Sequence, residues 1–337
     1  MTIQQAIQSL IDGRDLGRQE AREVMDQIMS GEATPAQIGA FLVALRCKGE
    51  TVAEIAGCAE VMREKATRVR TRRSDVVDTC GTGGDGSGTF NISTTVAFVA
   101  AGAGLCVAKH GNRAMSSRCG SADVLQALGV NTEASPEVVG RCLDEVGIGF
   151  LFAPLLHGAM KHAVGPRREI GTRTVFNVLG PLTNPAGARR QLVGVYAAGL
   201  TDTLAGVLRE LGTERAFVVH GSDGLDEITV TGPTRISVLR DGKVTTGTVE
   251  PREFGLAIAP GESLKGGTPE ENAAILTAVL EGEPGPRREV VLLNAAAAVV
   301  AGGRADTLAE GLERARESVD SGAALHALQQ LRRASQG

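Results

Sequence analysis

The chain has no tryptophan and one tyrosine, Tyr196, and aromatics make up only 3% of its 337 residues. Single-stranded nucleic acid is held by aromatic platforms set among basic residues, so this composition speaks against that class. No general positive field compensates: 35 Lys and Arg stand against 39 Asp and Glu, a formal net charge of −4. The local basic cluster from Arg70 to Arg73 reads as solvated linker, and the run from Arg68 to Arg73 as the hinge. The six cysteines (Cys47, Cys58, Cys80, Cys106, Cys119 and Cys142) include no C-x-x-C pair, which removes the common zinc and dithiol motifs. They read as free thiols in a reducing compartment, with a cytoplasmic location as the expectation. Met1 to Leu10 lacks a basic stretch leading into an apolar one, so no secretory signal is expected. No window approaches 18 apolar residues; the run from Val290 to Ala301 is short and interrupted by Asn294. Neither nucleic acid nor membrane is an expected partner.

What the chain has in quantity is glycine, 44 residues, and the densest cluster lies between Asp78 and Thr94. Val76-Val77, a β-branched pair, precedes it, and the apolar stretch Thr95 to Ala103 follows as a helix. Gly81, Gly83, Gly84, Gly86 and Gly88 allow backbone to approach a ligand closely. Asn91, Ser93 and Thr94 sit at a helix start, whose free N–H groups and dipole favour an anion. Strand, glycine loop and helix start together make a phosphate site. Gly81-x-Gly83-x-x-Gly86 also fits a dinucleotide fingerprint, but that fingerprint needs an acid about 20 residues on. Here the next strand, Leu105 to Ala108, runs into Lys109-His110-Gly111-Asn112-Arg113, so the dinucleotide reading is weak.

Residues 3 to 68 read as helical, with Ile38, Phe41, Leu42 and Leu45 forming one apolar stripe. Beyond Asp75 strands and helices alternate, the pattern of an α/β sheet. Strands are expected at Val76–Asp78, Leu105–Ala108, Ile148–Phe152, Gln191–Ala197 and Arg215–His220, with a hairpin-like meander around Asp241-Gly242. Between 150 and 185 the chain reads as loop-rich, with a short helix near Ala159 to Val164. From Pro269 it is mostly helical. The expected fold class is α/β, a small N-terminal helical domain plus a larger α/β domain with a mostly parallel central sheet. The first spans 1–73, joined by part of 155–190, and the second 74–337. The apolar stripe needs a partner surface, and a homodimer formed through those helices is the expectation.

Three loops could converge at the carboxyl ends of the strands, where open α/β sheets bind ligands: the glycine loop with Asp85, the segment Lys109 to Ser117, and Gly224-Leu-Asp226-Glu227. Each alone could be a turn or a solvated loop. Phosphate donors combined with a separate acidic pair are what a magnesium–polyphosphate substrate requires, because Mg²⁺ takes oxygen ligands from carboxylates and phosphates.

Asp78-x-Cys80-Gly-Thr-Gly-Gly-Asp85, Asn91-Ile-Ser-Thr94, Lys109-His-Gly-Asn-Arg-Ala114, Gly120 to Gly129 and Phe176-Asn-Val-Leu-Gly-Pro-Leu-Thr-Asn-Pro185 together resemble the anthranilate phosphoribosyltransferase family of tryptophan biosynthesis. The resemblance covers nearly the whole chain and is specific in order and spacing. It implies a fold of the nucleoside phosphorylase/phosphoribosyltransferase type, a homodimer, and transfer of phosphoribose from phosphoribosyl pyrophosphate to anthranilate with Mg²⁺, as two ions. It places phosphoribosyl pyrophosphate at Gly81, Gly84, Asp85, Thr89, Asn91, Ile92, Ser93 and Thr94. It adds Lys109, His110, Gly111, Asn112, Arg113, Ala114, Met115, Ser116, Ser117 and Ser121. Ser93, Asp226 and Glu227 match metal positions, and Lys109, Asp226 and Glu227 carry the catalytic charge. Gly81, Asn112 and Arg167 match the anthranilate site, with Arg168 one position away. His157, Met160 and Gly180 line the aromatic substrate's path, and His110 has a structural role in its loop.

Elementary chemistry agrees. An aromatic amine is neutral at pH 7 and can attack unaided, so the difficult event is departure of pyrophosphate, which needs preorganised positive charge. Two other readings share the architecture. A pyrimidine-type nucleoside phosphorylase would need a phosphate and nucleobase pocket. A non-catalytic nucleic-acid-binding relative would need a basic surface and a damaged acidic pair.

Overall fold

The computed structural model describes residues 1–114 and 118–337; Met115, Ser116 and Ser117 lie outside the described residues. Four helices come first: α1 (Ile3–Ile11), α2 (Arg18–Met29), α3 (Pro35–Lys48) and α4 (Val52–Lys65). Their starts are written in the sequence. Thr2, Thr34 and Thr51 each accept from the backbone N–H three residues on, and Gln5, Gln37 and Glu54 reach back to complete capping boxes. Gly57 of α4 lets α2 pack closely, since a Cβ there would lie 2.2 Å from the Arg18 carbonyl.

Glu54 is fully buried. It accepts from Leu16 N at 2.9 Å and Thr51 N at 2.8 Å and pairs with Lys48 at 3.0 Å, whose side chain is 6% exposed. Glu54→Ala should therefore cost about 1–3 kcal/mol, because the Leu16 and Thr51 N–H groups lose their acceptor while Lys48 keeps Asp15 at 2.6 Å. Denaturant unfolding checks this, and a loss below about 1 kcal/mol would mean that the pair behaves as an exposed one.

The larger part alternates strand and helix: β1 (Val76–Gly81), α5 (Ile92–Gly102), β2 (Cys106–Gly111), α6 (Ser121–Ala127), α7 (Pro136–Glu145) and β3 (Ile148–Phe152). Next come α8 (Ala153–Leu156), α9 (Lys161–Ile170) and α10 (Phe176–Leu179), then β4 (Arg190–Gly194), α11 (Leu200–Glu210), β5 (Arg215–Gly221), β6 (Thr234–Arg240) and β7 (Lys243–Val249). The chain ends in α12 (Pro269–Leu280), α13 (Pro286–Ala301), α14 (Leu308–Asp320) and α15 (Ala323–Ala334).

Among the described residues the strands form one sheet in the order β3-β2-β1-β4-β5-β6-β7. β3 through β5 are parallel, and β6 and β7 run antiparallel at one edge. The β6–β7 turn is Asp241-Gly242, both at positive φ (52° and 72°), as a two-residue hairpin turn requires. Alternation along the strands sends Val77, Val107, Phe150 and Leu192 into one core with α5 and α13. Val193, Val195 and Val218 face a second core, shared with α11 and the N-terminal helices.

Two expectations need correction. Ile38, Phe41, Leu42 and Leu45 do not present an open stripe: each is at most 1% exposed, because α1 and α9 pack on α3 within the chain. The segment 150–185 is less loop-like than its composition suggests. α9 runs ten residues through Gly165 and Pro166, and the pairing of that proline with a glycine hid it.

Candidate active site

The sheet order reverses at β1: the chain moves outward through β2 and β3, then returns to β4 on the other side. The crevice at the carboxyl ends of β1 and β4 is thus the topological switch point, where open α/β sheets take ligands. Asp226 lies across it. A Cβ on Gly194, at the end of β4, would fall 1.5 Å from the Asp226 carbonyl oxygen, and one on Gly81, at the end of β1, 2.5 Å from its carboxylate. Both strand tips are glycine because the acidic segment passes directly over them. Gly83 N–H donates to Asp226 Oδ2 at 2.9 Å, tying the glycine loop to the same carboxylate.

Lys109 and His110 are neighbours on β2 and so point to opposite faces of the sheet. Lys109 points toward α5. It is 3% exposed, and its ammonium donates to the Thr79 carbonyl and to Ser93 Oγ at 3.3 Å. Burial lowers its pKa, opposed by Asp78, Cys80, Glu227 and Asp226. Burial pushes Asp226 up to about 7, with repulsion from Asp85 adding to it. Glu227 rises well above the carboxylate range through burial and the charge of Asp226, eased by Lys109 and the Ser93 N–H. Glu227 and Lys109 are buried and Asp226 and Asp85 half-buried, so three carboxyl groups crowd one lysine, an excess of acidic over basic groups.

A divalent cation is the natural complement to that excess. Among the described residues no three His, Cys, Asp or Glu side chains close into a protein-only metal cage. Mg²⁺ does not need one, because it keeps waters and takes phosphate oxygens from its substrate. Asp226, Glu227 and the Ser93 hydroxyl supply hard oxygen donors on one side and leave the rest to a polyphosphate. The residues fit the ion.

On the opposite face His110 Nδ1 lies 3.2 Å from the Gly180 carbonyl, and His157 Nε2 lies 3.2 Å from His110 Nε2. A carbonyl only accepts, so His110 carries its proton on Nδ1 and receives the His157 Nε2–H. Below this pair Asp78, fully buried, accepts from His110 N at 3.1 Å and Asn184 Nδ2 at 2.7 Å. His110 thus turns its ring to the face opposite Lys109 and away from the glycine loop.

Burial lowers His110 to about 3, with repulsion from His157, and lowers His157 to about 4. Both are neutral bases whose folded pKa lies below the unfolded value near 6.5. The stability this gives is present above about pH 6.5 and is lost as pH falls toward 4. Asp226 works in the other direction. Replacing His157 by Gln should therefore flatten the acid-side loss of stability, measured by denaturant unfolding between pH 4 and 7. An unchanged slope would show that the imidazoles titrate alike in both states.

Arg167 is half-buried on α9 with its guanidinium 5.0 Å from the centre of the Phe176 ring. Burial lowers its pKa, and among the described residues it forms no ion pair. Arg168 is exposed. A desolvated guanidinium with no carboxylate is prepared to receive one.

The remaining sequence candidates divide by what they present. Ile92 and Thr94 are buried with α5, so they offer backbone rather than side chain. Asn112 is exposed; its N–H donates to Ser121 Oγ at 3.2 Å. Arg113 turns away to Asp123 (3.3 Å) and Glu133 (3.2 Å). Thr89 is bridged to Lys265, beside Gly81, Gly84 and Asp85 on the same glycine loop. Gly111 ends β2 where a Cβ would meet Ser121 Oγ at 2.1 Å. Ala114 N donates to Asp123 Oδ2 at 3.0 Å.

Sequence reasoning missed several supports. Arg173 donates to the Gly84 carbonyl and stacks 4.2 Å from the Tyr196 ring centre. Asn272 Nδ2 donates to Asn91 Oδ1 at 2.9 Å. Isolated polar residues on apolar helix faces, Asn272 and Asn294, were the available signal.

Residues 4–66 match the helical bundle domain of a glycosyl transferase family, and residues 73–325 match that family's a/b domain. An anthranilate phosphoribosyltransferase of Symbiobacterium thermophilum is 60% identical over 326 residues, 97% of this chain and 96% of that protein. The crystal structure of the Thermus thermophilus anthranilate phosphoribosyltransferase superposes with a TM-score of 0.94. It is 46% identical, covering 98% of this chain and 99% of that one. The Saccharomyces cerevisiae enzyme in complex with PRPP and Mg gives 0.89 at 29% identity, covering 99% and 98%. With a glycine loop, a buried lysine and an acidic pair meeting at the switch point of this fold, the chain belongs to the anthranilate phosphoribosyltransferase family.

Proposed function

We infer that this chain transfers the phosphoribosyl group of phosphoribosyl pyrophosphate to the amine of anthranilate, giving N-(5-phosphoribosyl)anthranilate and pyrophosphate in tryptophan biosynthesis. The observation that carries this is the division of the site by the sheet. One face holds Lys109, Ser93, Asp226 and Glu227, and the other holds the neutral histidine pair, with Arg167 left without a carboxylate. The first suits a metal-bound diphosphate and the second an aromatic acid.

When bound, Mg²⁺ supplies charge neutralisation to the departing pyrophosphate, and two ions are the reading we favour. Asp226 and Glu227 hold the metal side, and Ser93 adds a hydroxyl. Gly81, Gly84, Asp85, Thr89, Asn91, Ile92, Ser93 and Thr94 bind the donor through backbone and hydroxyl groups. Lys109 through Ser117 and Ser121 are read with that set, apart from the His110 ring and the Arg113 side chain, which face elsewhere. Lys109, which donates to Ser93 Oγ, would add positive charge on the donor's side of the site, where preorganised charge is most effective. Arg167 takes the anthranilate carboxylate, with Asn112 and Gly81 at its side. The uncharged His110–His157 pair keeps that face free of positive charge that would compete with Arg167. The amine attacks the anomeric carbon through an oxocarbenium-like transition state.

The helical unit, 1–73 with part of 155–190, is read as a domain that closes on 74–337 and limits water access. Support comes from α9 packing on α2 and α3. We also read the protein as a cytoplasmic homodimer. Exposed Ile11, Val43 and Val164, at 67%, 41% and 43%, lie on α1, α3 and α9, helices that pack side by side. Among the described residues no helix is long and apolar enough to cross a membrane.

The test offers purified protein phosphoribosyl pyrophosphate and Mg²⁺ with anthranilate, uracil or thymine in turn, and separately a pyrimidine nucleoside with phosphate. Anthranilate alone should be consumed. Turnover of a pyrimidine nucleoside with phosphate, and none of anthranilate, would move the chain to the phosphorylase branch.

A further inference from the structure

We propose that Asn294 is a positioning residue for the acidic pair: from the middle of α13 it fixes Asp226 and Glu227 at the strand tips by clamping the backbone of Ile228. The inference rests on reading Asp226 and Glu227 as metal ligands. From Val290 to Ala301 every residue of α13 is buried, and Asn294, with no exposed surface, is the polar one in that run. A buried side-chain amide is costly unless its hydrogen bonds are made. Here all are directed to backbone. Asn294 Oδ1 accepts from Ile228 N–H at 2.8 Å, while Nδ2 donates to the Ile228 carbonyl at 2.7 Å and to Val290 O at 2.8 Å. The amide thus does for Ile228 what a neighbouring strand would do, pairing with both its N–H and its C=O.

The location gives this clamp its consequence. Ile228 directly follows Glu227, in a segment between β5 and β6 that has no strand of its own. On the other side of Glu227, the Asp226 backbone is seated against Gly194 and its carboxylate against Gly81 and Gly83 N–H. Glu227 is therefore held between two fixed points, one made by absent side chains and one by Asn294. The hydroxyls of Thr229 (2.7 Å) and Thr231 (2.6 Å) donate to Asp223 Oδ2 and shape the segment internally, whereas Asn294 ties it to the core of the larger domain.

The full-length wild type, Asn294→Asp and Asn294→Leu decide the matter. Three readouts are needed: Mn²⁺ binding in the presence of phosphoribosyl pyrophosphate by electron paramagnetic resonance, backbone amide exchange at Ile228, and the anthranilate KM. Asn294→Leu should weaken Mn²⁺ binding on the order of 10-fold, the lower range for removing a group that orients a metal ligand. It should also speed exchange at Ile228 and leave the anthranilate KM unchanged. Asn294→Asp retains an acceptor for Ile228 N–H but no donors, and should fall between. It decides the question if the Leu variant does not fold. Faster exchange with unaltered Mn²⁺ affinity would overturn the proposal and leave Asn294 a core residue only. A wild type that binds no Mn²⁺ would overturn the metal reading itself, a result distinguishable because exchange at Ile228 would still respond to Asn294.

Discussion

Converting Asp226 to Asn together with Glu227 to Gln should lower kcat by about 10²–10³-fold, the usual cost of losing one preorganised charge-stabilising element at a reacting centre. The same double variant should be no less stable than the wild type without metal, and more stable above neutral pH. The reason lies in the direction of the shifts. Asp226 is raised to about 7 by burial and repulsion from Asp85, and Glu227 well above its usual range by burial and repulsion from Asp226. A carboxyl whose folded pKa is raised contributes stability at low pH that is lost as pH rises through the folded value. The metal-free wild type therefore loses stability on going from about pH 4 to pH 7 through Asp226, and the neutral amides do not. Steady-state kinetics with varied Mg²⁺, and unfolding at pH 5 and 8 with chelator, read the two effects separately. A variant that keeps its rate would remove the acidic pair from the chemistry. One that loses rate only because it unfolds would show the pair to be structural.

Arg167→Ala should raise the anthranilate KM strongly while leaving that for phosphoribosyl pyrophosphate nearly unchanged. Losing a charged hydrogen-bond partner costs roughly 1.5–3 kcal/mol, on the order of 10- to 150-fold in affinity. The structural ground is that Arg167 is desolvated against Phe176 and, among the described residues, unpaired, whereas its neighbour Arg168 is exposed. A guanidinium's planar fork matches a carboxylate in a way that lysine does not, so Arg167→Lys should recover only part of the loss. Arg168→Ala is the control and should leave both KM values alone. A defect in Arg168→Ala and none in Arg167→Ala would shift the carboxylate contact by one residue along α9.

Much of this molecule could be read from local pattern. Gly81, the Asn91–Thr94 helix start and the Lys109 segment have their meaning in short stretches, because a glycine loop before a helix makes an anion site wherever it occurs. The parallel sheet followed from alternation, and the Asp241-Gly242 hairpin from two residues. What stayed hidden depends on distance in the chain. That Gly194 is glycine because Asp226 passes over it is a fact about a strand tip and a loop 32 positions apart, and Asn294 meets Ile228 across 66. The opposite facing of Lys109 and His110 needed the strand to extend to Gly111, beyond the expected end at Ala108. The apolar stripe on α3 was correctly seen as needing cover. Its cover is α9, a helix that Gly165 and Pro166 disguised.

The most direct measurement follows anthranilate fluorescence and pyrophosphate release together in one reaction of purified protein, phosphoribosyl pyrophosphate and Mg²⁺. Fluorescence should be lost and pyrophosphate appear in equal amounts, both stopping on chelation and both resuming when Mg²⁺ is restored. Pyrophosphate release without loss of anthranilate, or undiminished turnover in chelator, would contradict the proposed transfer.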